Sequence, residues 1–182
     1  MIFNFSRERG FTLLEILCVI GVIGILTSIL IPSVSMARRS SLSAKSKAQF
    51  HQYIFALEAY CHEYGRYPYF FYEEDCVNLK ERGTEFVKAL SGHGPYPGYG
   101  ELTSAEVQRL NPKRIAFYHF NEWEFDEKGL LRDAFENPNI YIRIDTEEKG
   151  LLKIKDKPVA AKIAIYSQKS DGEGYQDVRS WW

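Results

Sequence analysis

From Phe11 to Ile31 the chain runs for 21 residues in which Glu15 is the only charged side chain. As a helix rising 1.5 Å per residue the run is roughly 31 Å long, about the hydrocarbon thickness of a bilayer. A carboxylate inside such a run costs about 2.5–3.5 kcal/mol to insert, so it should have a specific partner. No Lys or Arg lies inside the run. The partner must come from the chain terminus, from another copy or from another protein. An ordinary secretory signal has an apolar stretch of about 7–15 residues followed by small residues for cleavage. This run is longer, no such site follows it cleanly, and a plain anchor gives Glu15 no task.

The residues in front of the run sharpen this. A charged leader ending in Gly10, then Phe11-Thr-Leu-Leu-Glu15 and a long apolar stretch, resembles the class III signal of type IV pilins and type II secretion pseudopilins. The resemblance implies cleavage between Gly10 and Phe11 by a prepilin peptidase/N-methyltransferase, N-methylation of Phe11, and packing of the helix into a filament core. Glu15 would then neutralise the N-terminal ammonium of a neighbouring subunit. Gly24 and Pro32 stand where relatives carry a glycine and a proline, and they are read as bends in the helix. Implied partners are further copies, other pseudopilins and an inner-membrane assembly platform. The implied location is the inner membrane, single-pass, with the N-terminus cytoplasmic and the C-terminal part periplasmic, then a periplasmic pseudopilus. One rule points the other way. The leader offers Arg7 and Arg9 against Glu8, whereas Arg38, Arg39, Lys45 and Lys47 follow the helix, and the positive-inside rule would keep that side in the cytoplasm. A peptidase site at Gly10 demands a cytoplasmic leader, and the motif is preferred.

Charge excludes little beyond nucleic acid. The 182 residues hold 23 basic and 24 acidic side chains, and loss of residues 1–10 takes these to 21 and 23. This near-neutral balance lacks the footprint of a nucleic-acid binder, and the basic cluster at 38–47 reads as a juxtamembrane or inter-subunit patch. The expected organisation is a leader at 1–10, a transmembrane or filament-core helix at 11–31, its periplasmic continuation at 32–64 and a globular part at 65–182.

Past Pro32, which lacks the N–H that a helix interior uses, the chain is polar and small up to residue 49. Phe50, Ile54, Leu57, Cys61 and Tyr64 then recur at alternating spacings of four and three, predicting one apolar helix face. Gly65 followed by Pro68 ends the helix. Ala56-Leu57-Glu58-x-Tyr60 with Gly65-Arg66-Tyr67-Pro68 resembles the helix end of major pseudopilins. Val77–Leu90 is predicted as a helix weakened at Gly83, 91–100 as a loop, and Thr103-Ser-Ala-Glu106 as a capping box opening a short helix. Ile115–Phe120 reads as strand. Ile140, Ile142 and Ile144 alternate with Tyr141, Arg143 and Asp145, the period of a half-buried strand. Leu151–Lys155 and Ala161–Tyr166 supply two more. The fold class is therefore α+β: a long N-terminal helix, transmembrane then amphipathic, packed on a small antiparallel sheet, as in the pilin-like fold.

Three further groups bear on chemistry. The stretch from Ser167 through Asp171 and Asp177 to Trp181 resembles the C-terminal loop of major pseudopilins, which implies calcium as ligand, with Asp171 and Asp177 carried over by motif and Ser167 beside them. The loop is short, and a metal-free turn is the competing reading. Asp133-Ala-Phe-Glu-Asn137-Pro138 resembles the family's Asp-x-Trp-Gly-Asn-Pro-Tyr segment, but Phe135, Glu136 and Asn139 depart from it, so its usual turn and aromatic packing are not implied. Cys61 and Cys76 would both face an oxidising compartment, where a disulfide could tie the helix end to the next loop; Cys61 suits a buried free thiol equally. No enzyme is expected. His51 and His62 are eleven residues apart, roughly 16 Å on a helix and too far to share a metal, and no nucleophile elbow or paired carboxylates occur. The resulting expectation is a structural pseudopilin that helps drive protein export across the outer membrane. The alternative is a type IV pilin or minor pilin serving adhesion, twitching or DNA uptake.

Overall fold

Fifty-two consecutive residues, Leu13–Tyr64, form helix α1. The computed structural model describes residues 12–92, 102–147, 149–154, 157–168 and 177–181. The chain divides into two compact units, Met1–Ser41 and Leu42–Trp182, and α1 contributes to both. The division falls at Leu42 and Ser43, the first residues of α1 to lose exposure.

In the first unit the helix is rich in Ile, Val and Leu. β-Branched residues are mediocre helix formers in water, but in an apolar medium the helix is the form in which one segment satisfies its own backbone. Pro32 sits inside α1 without ending it.

In the second unit α1 buries Ser46, Gln49, Phe50, Tyr53, Ala56, Leu57 and Tyr60. This face is rotated slightly from the predicted stripe: Phe50 and Leu57 are fully buried, whereas Ile54, Cys61 and Tyr64 are half-buried. Tyr53 and Tyr60 take the centre because the fold provides acceptors for their hydroxyls. Tyr53 donates to Glu124 Oε2 at 2.6 Å and Tyr60 to the Leu110 carbonyl at 2.5 Å. With those bonds made, each ring adds its full apolar area to the core. Tyr53 meets Phe86 edge-on at 5.3 Å and Tyr118 at 5.2 Å. Gly65 ends the helix with φ of 69°, and its N–H donates to the Cys61 carbonyl at 2.8 Å.

A short helix α2 (Phe70–Glu73) follows, then strand β1 (Val77–Asn78) and helix α3 (Leu79–Ser91). The helix expected from Val77 thus begins two residues later, because Asn78 caps it by accepting the Lys80 N–H at 3.0 Å. Helix α4 (Ser104–Leu110) opens on the predicted capping box, with Thr103 and Glu106 bonding reciprocally. The strand expected at Ile115–Phe120 does not form. Asn111 takes the Ile115 N–H on its side chain and donates back to the Ile115 carbonyl, and the Phe117 and Tyr118 amides both donate to the Leu90 carbonyl. The backbone there pairs with a helix end instead of a ladder, while Phe117 and Tyr118 pack against the core.

Strands β2 (Ile140–Ile144), β3 (Leu152–Ile154), β4 (Lys157–Val159), β5 (Ile163–Ser167) and β6 (Val178–Arg179) complete the described elements. One sheet has the order β1-β2-β5-β6, antiparallel throughout, and β3 pairs with β4 as a separate hairpin. In β2 the predicted alternation holds: Ile140, Ile142 and Ile144 are buried, Tyr141 and Arg143 half-buried. In β5, period-two alternation with Ile163 and Ile165 would turn Ala164 outward, yet it is fully buried in a cluster with Leu152, Ile154 and Val159 of the hairpin. The fold is α+β, a long N-terminal helix packed with small antiparallel sheets, consistent with the pilin-like fold.

Candidate assembly helix and C-terminal loop

Helix α1 starts on a side-chain cap. Thr12 Oγ1 accepts the Glu15 N–H at 3.2 Å, and the Ile16 N–H donates to the Thr12 carbonyl. This is one half of a capping box, and the spacing Thr12-x-x-Glu15 is its sequence signature. Sequence reasoning concentrated on Glu15 and passed over Thr12, although that spacing marks it. The cap fixes Glu15 in the first turn, where the unpaired N–H groups of the helix end favour a negative charge. Gly10 and Phe11 lie outside the described residues.

From Leu13 to Met36 the apolar side chains are uncovered: Leu13 is 86% exposed, Ile25 66% and Met36 72%. By length and composition this is a helix able to cross a membrane, with a mean hydropathy of 2.6 in its most apolar window and none of that window buried. A contiguous apolar surface of this extent requires lipid or another protein around it. The polar side chains in and just after the run are turned inward to the backbone. Thr27 donates to the Ile23 carbonyl at 2.7 Å, Ser28 to Ile25 at 2.6 Å, Ser33 to Ile29 at 2.9 Å and Ser35 to Pro32 at 2.8 Å. Such bonds remove the hydroxyls as unsatisfied groups in an apolar medium. A methyl group added at Gly21 or Gly24 would meet nothing within 4 Å. Among the described residues, no packing demands those glycines.

The second unit contains an arrangement that the sequence did not disclose. Glu124 is fully buried, and among the described residues no cationic side chain bonds its carboxylate. Its Oε1 accepts from Tyr118 OH at 2.9 Å and from the Asn121 N–H and Nδ2 at 2.9 and 2.8 Å, while Oε2 accepts from Tyr53 OH at 2.6 Å. Gln49 Nε2 reaches the same oxygen at 3.4 Å and the Arg132 carbonyl at 3.0 Å. Burial, then the Glu124 charge, pushes the Tyr53 hydroxyl well above its ordinary range, so it stays protonated and keeps donating. This arrangement fastens α1 to the 121–132 segment. A second buried acid, Asp133, accepts the Phe135 and Asn137 N–H groups at 2.8 and 3.0 Å and the Ser167 hydroxyl at 2.7 Å. Burial pushes its carboxyl up. The turn it closes puts Glu136 at φ of 64°, the conformation that glycine adopts freely and other residues seldom.

The residues proposed for calcium are only partly in view. Asp171 lies outside the described residues. Ser167 is buried with its hydroxyl donated to Asp133, and Asp177 is exposed. Both line a cavity of about 100 Å³ with Tyr166, Arg179 and Trp181. Among the described residues no group of three or more His, Cys, Asp or Glu side chains is placed to hold a metal. Calcium takes about six to eight oxygens, and the described part of the loop offers one carboxylate.

Cys61 and Cys76 are unbridged in this structure, the arrangement of the free-thiol alternative. Each has its own neighbour: Cys76 Sγ lies 3.5 Å from Tyr166 OH, and the Cys61 thiol sits by Tyr67, whose hydroxyl burial and that thiol push up. The described histidines His51, His62 and His119 are exposed.

Residues 5–31 match the model of the prokaryotic N-terminal methylation motif. Comparisons with curated proteins and with solved structures find no significant match. The matched motif supports a type IV pilin-like protein, a structural class and not an enzyme class. It implies processing by a prepilin peptidase and polymerisation into filaments. With the apolar helix, it fits a membrane-anchored single-pass protein.

Proposed function

We propose that this chain is a structural subunit of a type II secretion pseudopilus, polymerising through α1 to help drive protein export across the outer membrane. The observation that carries the reading is the Leu13–Met36 helix, which lies largely within the methylation motif and leaves its apolar side chains uncovered. Before assembly the helix is stored in the inner membrane with its N-terminus cytoplasmic; afterwards the same surface is covered by other copies. Glu15, held in the first helical turn by the Thr12 cap, pairs with the ammonium of a neighbour's Phe11 and sets axial register.

Two features favour a pseudopilin over a surface pilin. The Asp133–Asn137 turn forms with Glu136 in a glycine-like conformation, at the position where the resembled segment has glycine. The other is that residues 77–182 contain no cysteine pair, the cysteines being 18, 61 and 76. We further propose calcium in the loop from Ser167 to Asp177, with Asp171 and Asp177 as carboxylate donors; a melting temperature unmoved by calcium relative to a chelator control removes that part. The whole reading is tested by deleting the gene and assaying exoprotein secretion beside twitching, adhesion and DNA uptake. Loss of secretion alone is expected. Intact secretion with lost motility or DNA uptake transfers the chain to the pilins.

A further inference from the structure

We propose that Arg38 and Arg39 form a site for anionic phospholipid headgroups at the C-terminal end of the apolar helix, a proposal that rests on the membrane-anchored reading above. Both arginines are exposed. No Asp or Glu lies between Glu15 and Glu58, so neither arginine has an acid one turn away on α1. Among the described residues neither joins an ion pair. Among the described residues, two adjacent guanidinium groups are thus left without an anionic partner.

Position along the helix says which anion. The last large apolar side chains before them are Val34 and Met36, 64% and 72% exposed. Arg38 is two residues beyond Met36, about 3 Å along the axis. The helix from Leu13 to Met36 spans roughly 36 Å, enough to cross the hydrocarbon and enter the headgroup layer. Helical side chains lean toward the N-terminus, so the arginine stems lean back along the apolar surface while their heads reach the boundary. A guanidinium meets a phosphate with two parallel N–H···O bonds, which a lysine cannot copy. The uncovered helix needs lipid from the moment it exists as a single copy. Phosphate is therefore within reach at once, whereas a carboxylate from a second copy arrives only on assembly. The site fixes the depth of the stored helix and opposes its withdrawal from the bilayer.

The test reconstitutes the full chain at low protein-to-lipid ratio in phosphatidylcholine vesicles carrying spin-labelled phosphatidylglycerol or spin-labelled phosphatidylcholine. The fraction of motionally restricted label gives the relative association of the two lipids with the helix. Wild type is expected to prefer phosphatidylglycerol severalfold, about fivefold for each cation held at an anionic surface, and salt should weaken the preference. R38Q/R39Q should bring the ratio close to one, and R38K/R39K should keep part of it. Equal association of both lipids with wild type, or a preference retained by the double Gln variant, overturns the site. A preference that emerges only at protein ratios where copies self-associate makes the site a property of the assembled helices rather than of the single stored helix, and overturns it equally. Flotation with vesicles after an alkaline carbonate wash reports anchorage separately. Wild type failing to float sinks the membrane reading itself, while flotation with equal lipid association sinks only the headgroup site.

Discussion

The two parts of α1 invert the usual relation between hydrophobicity and burial. Leu13–Met36 is the most apolar stretch of the chain, and its apolar side chains are exposed; Ser46–Tyr60 contains Ser, Gln and two tyrosines, and its inner face is sealed. Burying apolar surface stabilises at roughly 25 cal/mol per Å² wherever the covering surface comes from. In the second part the covering comes from α3, the 117–132 segment and the sheet. In the first part the described residues supply none, so the cover must be lipid or another protein. The second part also shows what a closed core permits: Tyr53, Gln49 and Glu124 are tolerated because their partners are present and water is excluded.

The largest effect should come from the one charge in the uncovered part. Glu15→Leu should insert normally yet assemble into filaments at least tenfold less, as sedimentable polymer per membrane-inserted subunit; wild-type polymer levels would reject the register role. Next, equivalent truncations should separate the two parts. Leu57→Ala should destabilise the C-terminal unit by about 2–5 kcal/mol, because Leu57 is fully buried. Leu26→Ala should leave that unit's melting unchanged, because Leu26 is 55% exposed. Near-UV circular dichroism of the detergent-solubilised full chain reads both, and equal shifts would break the comparison.

A smaller pair concerns the backbone. A Cβ at Gly92, whose φ is 66°, would sit 2.5 Å from the Ile115 backbone, so Gly92→Ala should lower stability by at least about 1–2 kcal/mol. Glu136→Gly should raise it by up to about 1 kcal/mol by relieving the left-handed conformation, since only a long 3.6 Å pair with Arg132 is given up. The smallest effect is electrostatic. The Lys88 ammonium, with the Thr103 N–H and hydroxyl, lowers Glu106 to about 2. A depressed carboxyl stabilises the fold above its ordinary range near 4.5, and the contribution is lost as pH falls toward about 2. The loss should be partial, because the side chain is 36% exposed and salt screens it. Acid titration of melting should be flatter in Glu106→Gln, and an unchanged slope removes the pair from the stability account.

Local rules were readable wherever a residue answers to its own neighbours. Gly65 ends α1, Thr103 and Glu106 open α4, and Ile140, Ile142 and Ile144 alternate inward. Reading failed wherever a distant segment decided. Ile115–Phe120 has strand composition but follows Asn111 and the Leu90 carbonyl into irregular backbone. Ala164 sits on the alternation's outer face and is buried by a hairpin the alternation cannot see.

By itself the sequence determined the membrane-length helix, its single acid and the methylation motif, because these depend on length, hydropathy and spacing along one segment. It also determined the α+β class, through the change of period from helical to alternating. Only the tertiary structure decided which residues hold the C-terminal unit together. Glu124 meets Tyr53, Tyr118 and Asn121, and Asp133 meets Ser167, across separations of up to 71 residues. A buried carboxylate is stable only where several donors converge on it, and convergence is a property of the folded chain rather than of any stretch of it.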